Sequence, residues 1–307
     1  MEWALLIEQV LNGVQFGVLL FLLAAGLTLT FGIMDLVNLA HGSMYMLGAF
    51  FGATIILWTG SFVLALVLAV PIVAGIGILT EISTLRTLYQ RHHLDQVLAT
   101  FGLILFFNEL VQIVWPLDGL TAPFPEYLSS TVPLPFGIEY SPYRLMIIGA
   151  GFALAVAMWL LVTRTRLGML IRAGAADREM VYALGINIRL LFTLVFGLGT
   201  ALSALAGVLM APILGANSGM GEQIIIVAFV VIVIGGIGSI RGSFIAALIT
   251  GLIDSLGRSF LDVILALFIP INAAEAAAPA ISSMLIYIFM AGILFFRPTG
   301  LFGKQPN

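Results

Sequence analysis

Three groups of residues in this sequence carry chemistry that a purely apolar chain would not need. The first lies in FGIMDLVNLAHGS (31–43), where Gly32, Asp35, Asn38, His41, Gly42 and Ser43 interrupt an apolar run. An amide, an imidazole and a hydroxyl in close succession can hold a small polar solute by hydrogen bonds. They can equally be structural: His41 as a hydrogen-bonded histidine at a helix start, Asn38 as a side-chain cap on that helix, Asp35 at the membrane interface. The second is IGGIGSIRGS (234–243), with Gly236, Gly238, Ser239, Arg241 and Gly242. His41-Gly42-Ser43 and Arg241-Gly242-Ser243 match in pattern, as an internal duplication would leave them, although 33 glycines make a three-residue match easy to reach by chance. The third is the segment Arg164 to Arg189, which holds five of the 12 Lys and Arg residues together with Asp177 and Glu179.

Much other chemistry is excluded. GGIGSIRG has the spacing G-x-G-x-x-x-G with no strand before it, and no G-x-x-x-x-G-K-[ST] occurs, so the chain binds no ATP through a loop of its own. His92-His93 has no third ligand nearby. The absence of cysteine removes thiol catalysis, disulfides and thiolate metal sites. Neither G-x-S-x-G nor H-E-x-x-H is present, so no catalytic set, metal site or cofactor site is expected, and the chain does not read as an enzyme. A formal charge of −3 argues against a nucleic-acid partner. Glu109 and Asp254 stand inside apolar runs, where a carboxylate is costly and usually faces the bundle interior. Either could line a pathway or pair with another helix, and an ion-coupled carrier working alone would depend on one of them.

The elements that must position these groups are membrane helices. Apolar residues make up 61% of the chain and charged ones 9%, at a mean hydropathy of +1.17, and the apolar runs are continuous rather than alternating. The expected fold is all-α, a polytopic helical bundle in one transmembrane domain over 1–307. It has about nine (8–10) spans, some short or broken, at about 20 residues each. The spans read as Leu11–Met34, two within Leu36–Thr80 parted at Trp58-Thr59-Gly60-Ser61, Val97–Leu117, Arg144–Thr163, Leu190–Leu214, a short Gln223–Ile234, a short Gly242–Gly257 and Ala280–Phe296. Leu261–Ile271 is too short to cross and reads as a surface or re-entrant piece. Asp118–Pro142, rich in proline, reads as an ordered loop outside the membrane. Gly197, Gly199, Ser203 and Gly207 permit close helix approach in the sixth span. MEWALLIEQ lacks the basic start of a cleaved signal peptide.

Positive charge orients the bundle. With the N-terminus outside and nine crossings, the cytoplasmic side receives Arg86, Arg91, the five arginines of 164–189, Arg241, Arg297 and Lys304, ten of the 12 basic residues, and Arg144 and Arg258 stay outside. Residues 164–189 are then cytoplasmic and 118–142 periplasmic. Read as one helix, AGAADREMVYALGIN (173–187) carries Met180, Val181 and Leu184 as an apolar strip, with Arg172, Asp177, Arg178 and Glu179 around it. That suits docking to a soluble partner, and an ordinary loop with basic anchors would look similar.

Three stretches together resemble the permease subunits of branched-chain amino-acid ABC importers: Gly26-Leu27-Thr28 through FGIMDLVNLAHGSMYMLGAF; TRLGMLIRAGAADREMVYALGIN; and IGGIGSIRGS with the terminal FFRPTGLFG (295–303). The first is more like the shorter, first permease of the pair. The resemblance implies a bacterial inner-membrane protein, a heterodimer with a second homologous permease, two cytoplasmic ATPases that hydrolyse the ATP, and a periplasmic substrate-binding protein. It makes Arg172 to Gly185 the coupling segment, with Arg172, Ala175, Ala176, Asp177, Arg178, Glu179, Leu184 and Gly185 in an ATPase groove. The cargo would be leucine, isoleucine, valine or similar small amino acids, or urea, short amides or other small acids. Asn38, His41, Gly42, Ser43, Gly236, Gly238, Ser239 and Gly242 become candidate pathway residues. The helices after Gly42 and after Gly242 are candidates to receive a substrate carboxylate.

Overall fold

The computed structural model describes residues 2–303, so Lys304 lies outside the described residues. Eleven helices occur among them: α1 (Glu2–Met34), α2 (His41–Thr59), α3 (Phe62–Ser83), α4 (His93–Val114), α5 (Pro142–Arg164), α6 (Arg166–Ala176), α7 (Arg178–Ala183), α8 (Ile188–Leu214), α9 (Met220–Gly235), α10 (Ile240–Leu265) and α11 (Ile271–Phe296). Eight are long and apolar enough to cross a bilayer, and α9, of 16 residues, is shorter. The chain is therefore an all-α polytopic membrane protein. With α9 the apolar helices number nine, as the sequence suggests.

The boundaries differ in instructive ways. The short eighth span and the surface piece Leu261–Ile271 are not separate: α10 runs unbroken through Arg258 to Leu265. Arg258 bonds Asp254 one turn earlier at 3.0 Å, and this local pair lets a charge sit in a helix that apolar counting cuts short. The last span begins at Ile271 rather than Ala280, with Pro279 inside α11. α1 likewise begins well before Leu11.

At the centre α1 and α8 pack on each other. α5 and α10 cover the far side of α1, α2 and α3 cover α8, and α9 wedges against α1, α2 and α10. Apolar burial alone does not discriminate between helices in lipid, so close approach and hydrogen bonds must hold this bundle. Gly207 supplies one such approach: a Cβ there would run into the backbone of Tyr45, and one on Gly48 into that of Ala204, which fixes the α2–α8 crossing. Gly199 meets Gly26 of α1 in the same way, Gly197 lies against Ile78, and the Ser203 hydroxyl donates to the His41 carbonyl at 3.0 Å. All four small residues of the sixth span thus sit at contacts. The outward sides of α3, α5 and α11 carry exposed apolar side chains such as Val67, Val156 and Ile288, as lipid contact requires.

The ends of the bundle are tied differently. At one, the 118–142 loop holds a two-stranded hairpin, β1 (Val132–Leu134) with β2 (Ile138–Tyr140), and Leu120 pairs with Ala216 just past α8. The Tyr143 hydroxyl donates to the Leu209 carbonyl at 2.8 Å, and the Tyr140 hydroxyl and Arg144 both reach Asn12 of α1. At the other end lie α6, α7 and the C-terminal segment.

Candidate coupling segment and transport pathway

The charged segment 164–189 does not form one helix across 173–187. Asp177 takes an extended conformation (φ −155°, ψ 105°), which ends α6, and its carboxylate accepts the Met180 N–H at 2.9 Å, which starts α7. A side chain this good at capping competes with helix continuation. The expected apolar strip is split as well. Val181 is buried, whereas Met180, Tyr182 and Leu184 are 58%, 73% and 71% exposed. Ala175, Ala176, Asp177 and Glu179 are exposed too, and Gly185, with φ +81°, ends α7 with open space around it. Arg172 donates to the Val162 carbonyl at the end of α5.

Arg178 turns inward. Its guanidinium lies 5.8 Å from the Phe192 ring centre, and Phe192 meets Tyr89 edge-on at 5.4 Å. The Tyr89 hydroxyl donates to Glu81 at 2.6 Å, where the buried carboxylate also accepts from Arg86 at 3.1 and 2.9 Å and from Thr193 at 2.9 Å. Burial, then the Glu81 hydrogen bond, hold the Tyr89 phenol above the ordinary tyrosine range, so it remains a donor at neutral pH. This network joins α3 to the second turn of α8 beside α7. The sequence puts Arg86 on the cytoplasmic side without linking it to this network; the available signal was a lone Glu81 closing an apolar run, five residues before a basic one.

The two interrupted segments meet at Gly32, which lies against Gly238, and Gly32 and Asp35 line one cavity with Gly238 and Ser239. Asp35 ends α1 with φ 52° and is exposed, while Asn38, His41 and Ser43 are buried. Asn38 does not cap α2: the position before the helix is Ala40, no side chain caps it, and the Asn38 Oδ1 has no hydrogen-bond partner among the described residues. His41 does begin a helix but is not the hydrogen-bonded structural histidine expected there, since both ring nitrogens are buried without a partner among the described residues. Its ring instead fills the space left by Gly26 at the α1–α8 crossing. In the second segment Ser239 caps α10 by accepting the Gly242 N–H at 3.1 Å.

Both glycines of the Gly-Ser pairs touch α9, at opposite ends. Gly42 lies against Gly221 and Gly242 against Gly235, backbone to backbone. Fourteen residues of helix separate these contacts, roughly 20 Å, so Gly42 and Gly242 are not brought to one point, although Gly32 and Gly238 of the same two segments touch. Gly236 packs on Gly303, and the Leu301 and Phe302 N–H groups bond the carbonyls of Ile234 and Gly235 at 2.8 and 3.1 Å, which makes FFRPTGLFG a clasp on the end of α9.

Of the two carboxylates singled out, Asp254 is paired with Arg258. Glu109 faces outward from α4, and the adjoining Asn108 donates to Glu222 in the first turn of α9. Fifteen residues of α4 separate His93 from Asn108 and thirteen of α9 separate Glu222 from Gly235, so both counts put this polar patch roughly 20 Å from the α6–α7 side. His92 and His93 sit at the start of α4, with His93 within 3.3 Å of Gln96.

This geometry, a bundle with a half-length helix and a charged segment at one end, fits a transport protein. The family model described as "Branched-chain amino acid transport system / permease component" matches residues 9–294. The chain belongs to that family. It is 28% identical over 312 residues to the high-affinity branched-chain amino acid transport system permease protein BraD of Pseudomonas aeruginosa, covering 97% of this chain and 96% of that one. It is 27% identical over 310 residues to LivH of Escherichia coli, a permease protein of a system of the same description, with the same coverage. No solved structure matches it. A permease component is by that description one part of a larger transport system.

Proposed function

We propose that this chain is the shorter, first permease of a heterodimeric ATP-driven importer, acting as one transmembrane domain that carries leucine, isoleucine, valine or similar small amino acids across a bacterial inner membrane. The N-terminus lies on the periplasmic side and the C-terminus on the cytoplasmic side. A periplasmic protein delivers the substrate, and two cytoplasmic ATPases hydrolyse the ATP. The observation that carries this reading is the exposed trio Met180, Tyr182 and Leu184 on a charged segment packed against the core helix α8. Large apolar side chains grouped in a polar surface require cover, and the residues around them suit a groove on an ATPase.

Motion of α6–α7 reaches the membrane through Arg178, Phe192 and the Glu81 network. The second permease covers the outward faces of α4 and α9, because Glu109 and Glu222 at membrane depth are costly against lipid. Asn38, His41, Gly42 and Ser43 form the upper part of the pathway, and Gly236, Gly238, Ser239 and Gly242 its cytoplasmic end. Of the two helix starts that could meet a substrate carboxylate, α2 fits better, since no side chain caps it and Ser239 already occupies that of α10.

The test is ATP-dependent uptake of labelled leucine by proteoliposomes holding this chain with the subunits that co-purify with it. Competition by isoleucine and valine but not urea is the expected result. Competition by urea alone would move the cargo, and uptake driven by a proton gradient without ATPases would reject the importer.

A further inference from the structure

Between α5 and α10 the bundle is open: both helices pack on α1 but scarcely on each other. The gap holds two adjoining cavities of about 300 Å³ each, which share Trp159, Ile240 and Arg241. The first is almost wholly apolar, walled by Phe21, Phe152, Val156 and Phe244. Phe152 and Val156 are 41% and 54% exposed on the outer surface of a spanning helix, so this groove faces lipid. It runs from Trp159 to Phe152, seven residues of α5 and about 10 Å. The second cavity lies at the α6 end and is lined by Arg172, Arg241, Thr163 and Ser239 among others.

The two arginines lack counter-charges. Arg241 lies 5.7 Å from the Trp159 ring centre, and Arg172 donates to the Val162 carbonyl; among the described residues neither forms an ion pair. An apolar groove at lipid depth that ends in two unpaired guanidiniums and two hydroxyls complements one kind of molecule.

We propose that this groove is a binding site for an anionic phospholipid of the leaflet on the α6–α7 side. An acyl chain lies along Phe152 and Phe244, and the phosphate lies between Arg172 and Arg241. Guanidinium forks match phosphate oxygens in geometry and charge, and basic pockets between membrane helices commonly take anionic headgroups. Because Ala175 and Ala176 line the same cavity as Arg172, the lipid bridges α6 to the start of α10. The proposal does not depend on what the permease carries.

Native mass spectrometry of the full-length chain, purified with the subunits that accompany it and then delipidated, tests the site. The probes are phosphatidylglycerol, phosphatidylcholine with the same acyl chains, and inorganic phosphate. Retention of phosphatidylglycerol at least about fivefold above phosphatidylcholine is expected, with no retention of phosphate alone. Arg241→Gln should lower that retention about fivefold, the contribution of one cation near a charged lipid surface. Arg241→Lys keeps the charge without the fork and should retain more phosphatidylglycerol than Arg241→Gln but less than the unaltered chain, which a folding defect would not mimic. Val156→Trp fills the groove from an exposed position and should lower retention with both arginines intact. Equal retention of the two lipids, retention of phosphate alone, equal loss in the Lys and Gln variants, or no loss in Val156→Trp would each overturn the proposal.

Discussion

Arg178 and Phe192 are held with the guanidinium 5.8 Å from the ring centre, bridging the short helix α7 to the long core helix α8. The same ring meets Tyr89, whose hydroxyl reaches Glu81 of α3, so α7 is linked to two spanning helices, the route the proposed coupling uses. Arg178→Ala removes a contact worth about 0.5–1 kcal/mol, too little to unfold the chain. Leucine transported per ATP hydrolysed should fall several-fold while hydrolysis persists. Ala175→Trp, which adds bulk at an exposed position, should act the same way; the ratio measured in proteoliposomes checks both.

The Glu81 cluster should be structural in strength as well as connective. Arg86→Met leaves a buried carboxylate with only hydroxyl donors, and the partial exposure of Arg86 moderates the loss to about 2–3 kcal/mol. Tyr89→Phe removes one hydrogen bond and should cost about 1 kcal/mol. Thermal melting of the detergent-purified variants should rank them in that order.

Gly207→Leu should be the most damaging single change. Its side chain would enter the space held by the Tyr45 backbone, and no rotamer relieves a backbone clash. An overpacked crossing costs about 1–3 kcal/mol or more, so little properly folded protein should be recovered after membrane extraction. Gly75→Leu, at a glycine with open space around it, is the control and should accumulate normally.

His41 presents the opposite case. Both ring nitrogens are buried without partners among the described residues, and such groups are rare unless something else uses them. His41→Leu has similar bulk and removes the orphaned atoms, so stability should hold or rise by about 1–3 kcal/mol. Leucine uptake should nevertheless fall at least about tenfold. Loss of stability with uptake retained would make His41 a packing residue only.

Much of this was legible in the sequence because membrane helices declare themselves by length and polarity. The nine apolar helices, the contacts of Gly199, Ser203 and Gly207, and the polar segment at 164–189 follow from composition and spacing. What failed did so locally. Asp177 broke the 173–187 helix because its carboxylate caps α7, an interaction that periodicity does not weigh. Arg258 hid the continuity of α10 because window counting penalises a charge without seeing its partner four residues back. The missing partners of Asn38 and His41, the Glu81 network and the gap between α5 and α10 all depend on which helices become neighbours. No single-chain pattern reports that.

The most direct test of the coupling account uses a chain that contains no cysteine, so that Leu184→Cys supplies a unique thiol on the exposed face of the charged segment. In sealed inner-membrane vesicles turned inside out, a thiol-directed photo-crosslinker placed there should join this chain to an ATPase subunit, in a yield that changes when ATP is added. Labelling of the introduced thiol by an impermeant maleimide only from the periplasmic side, or crosslinks to lipid alone, would contradict the account.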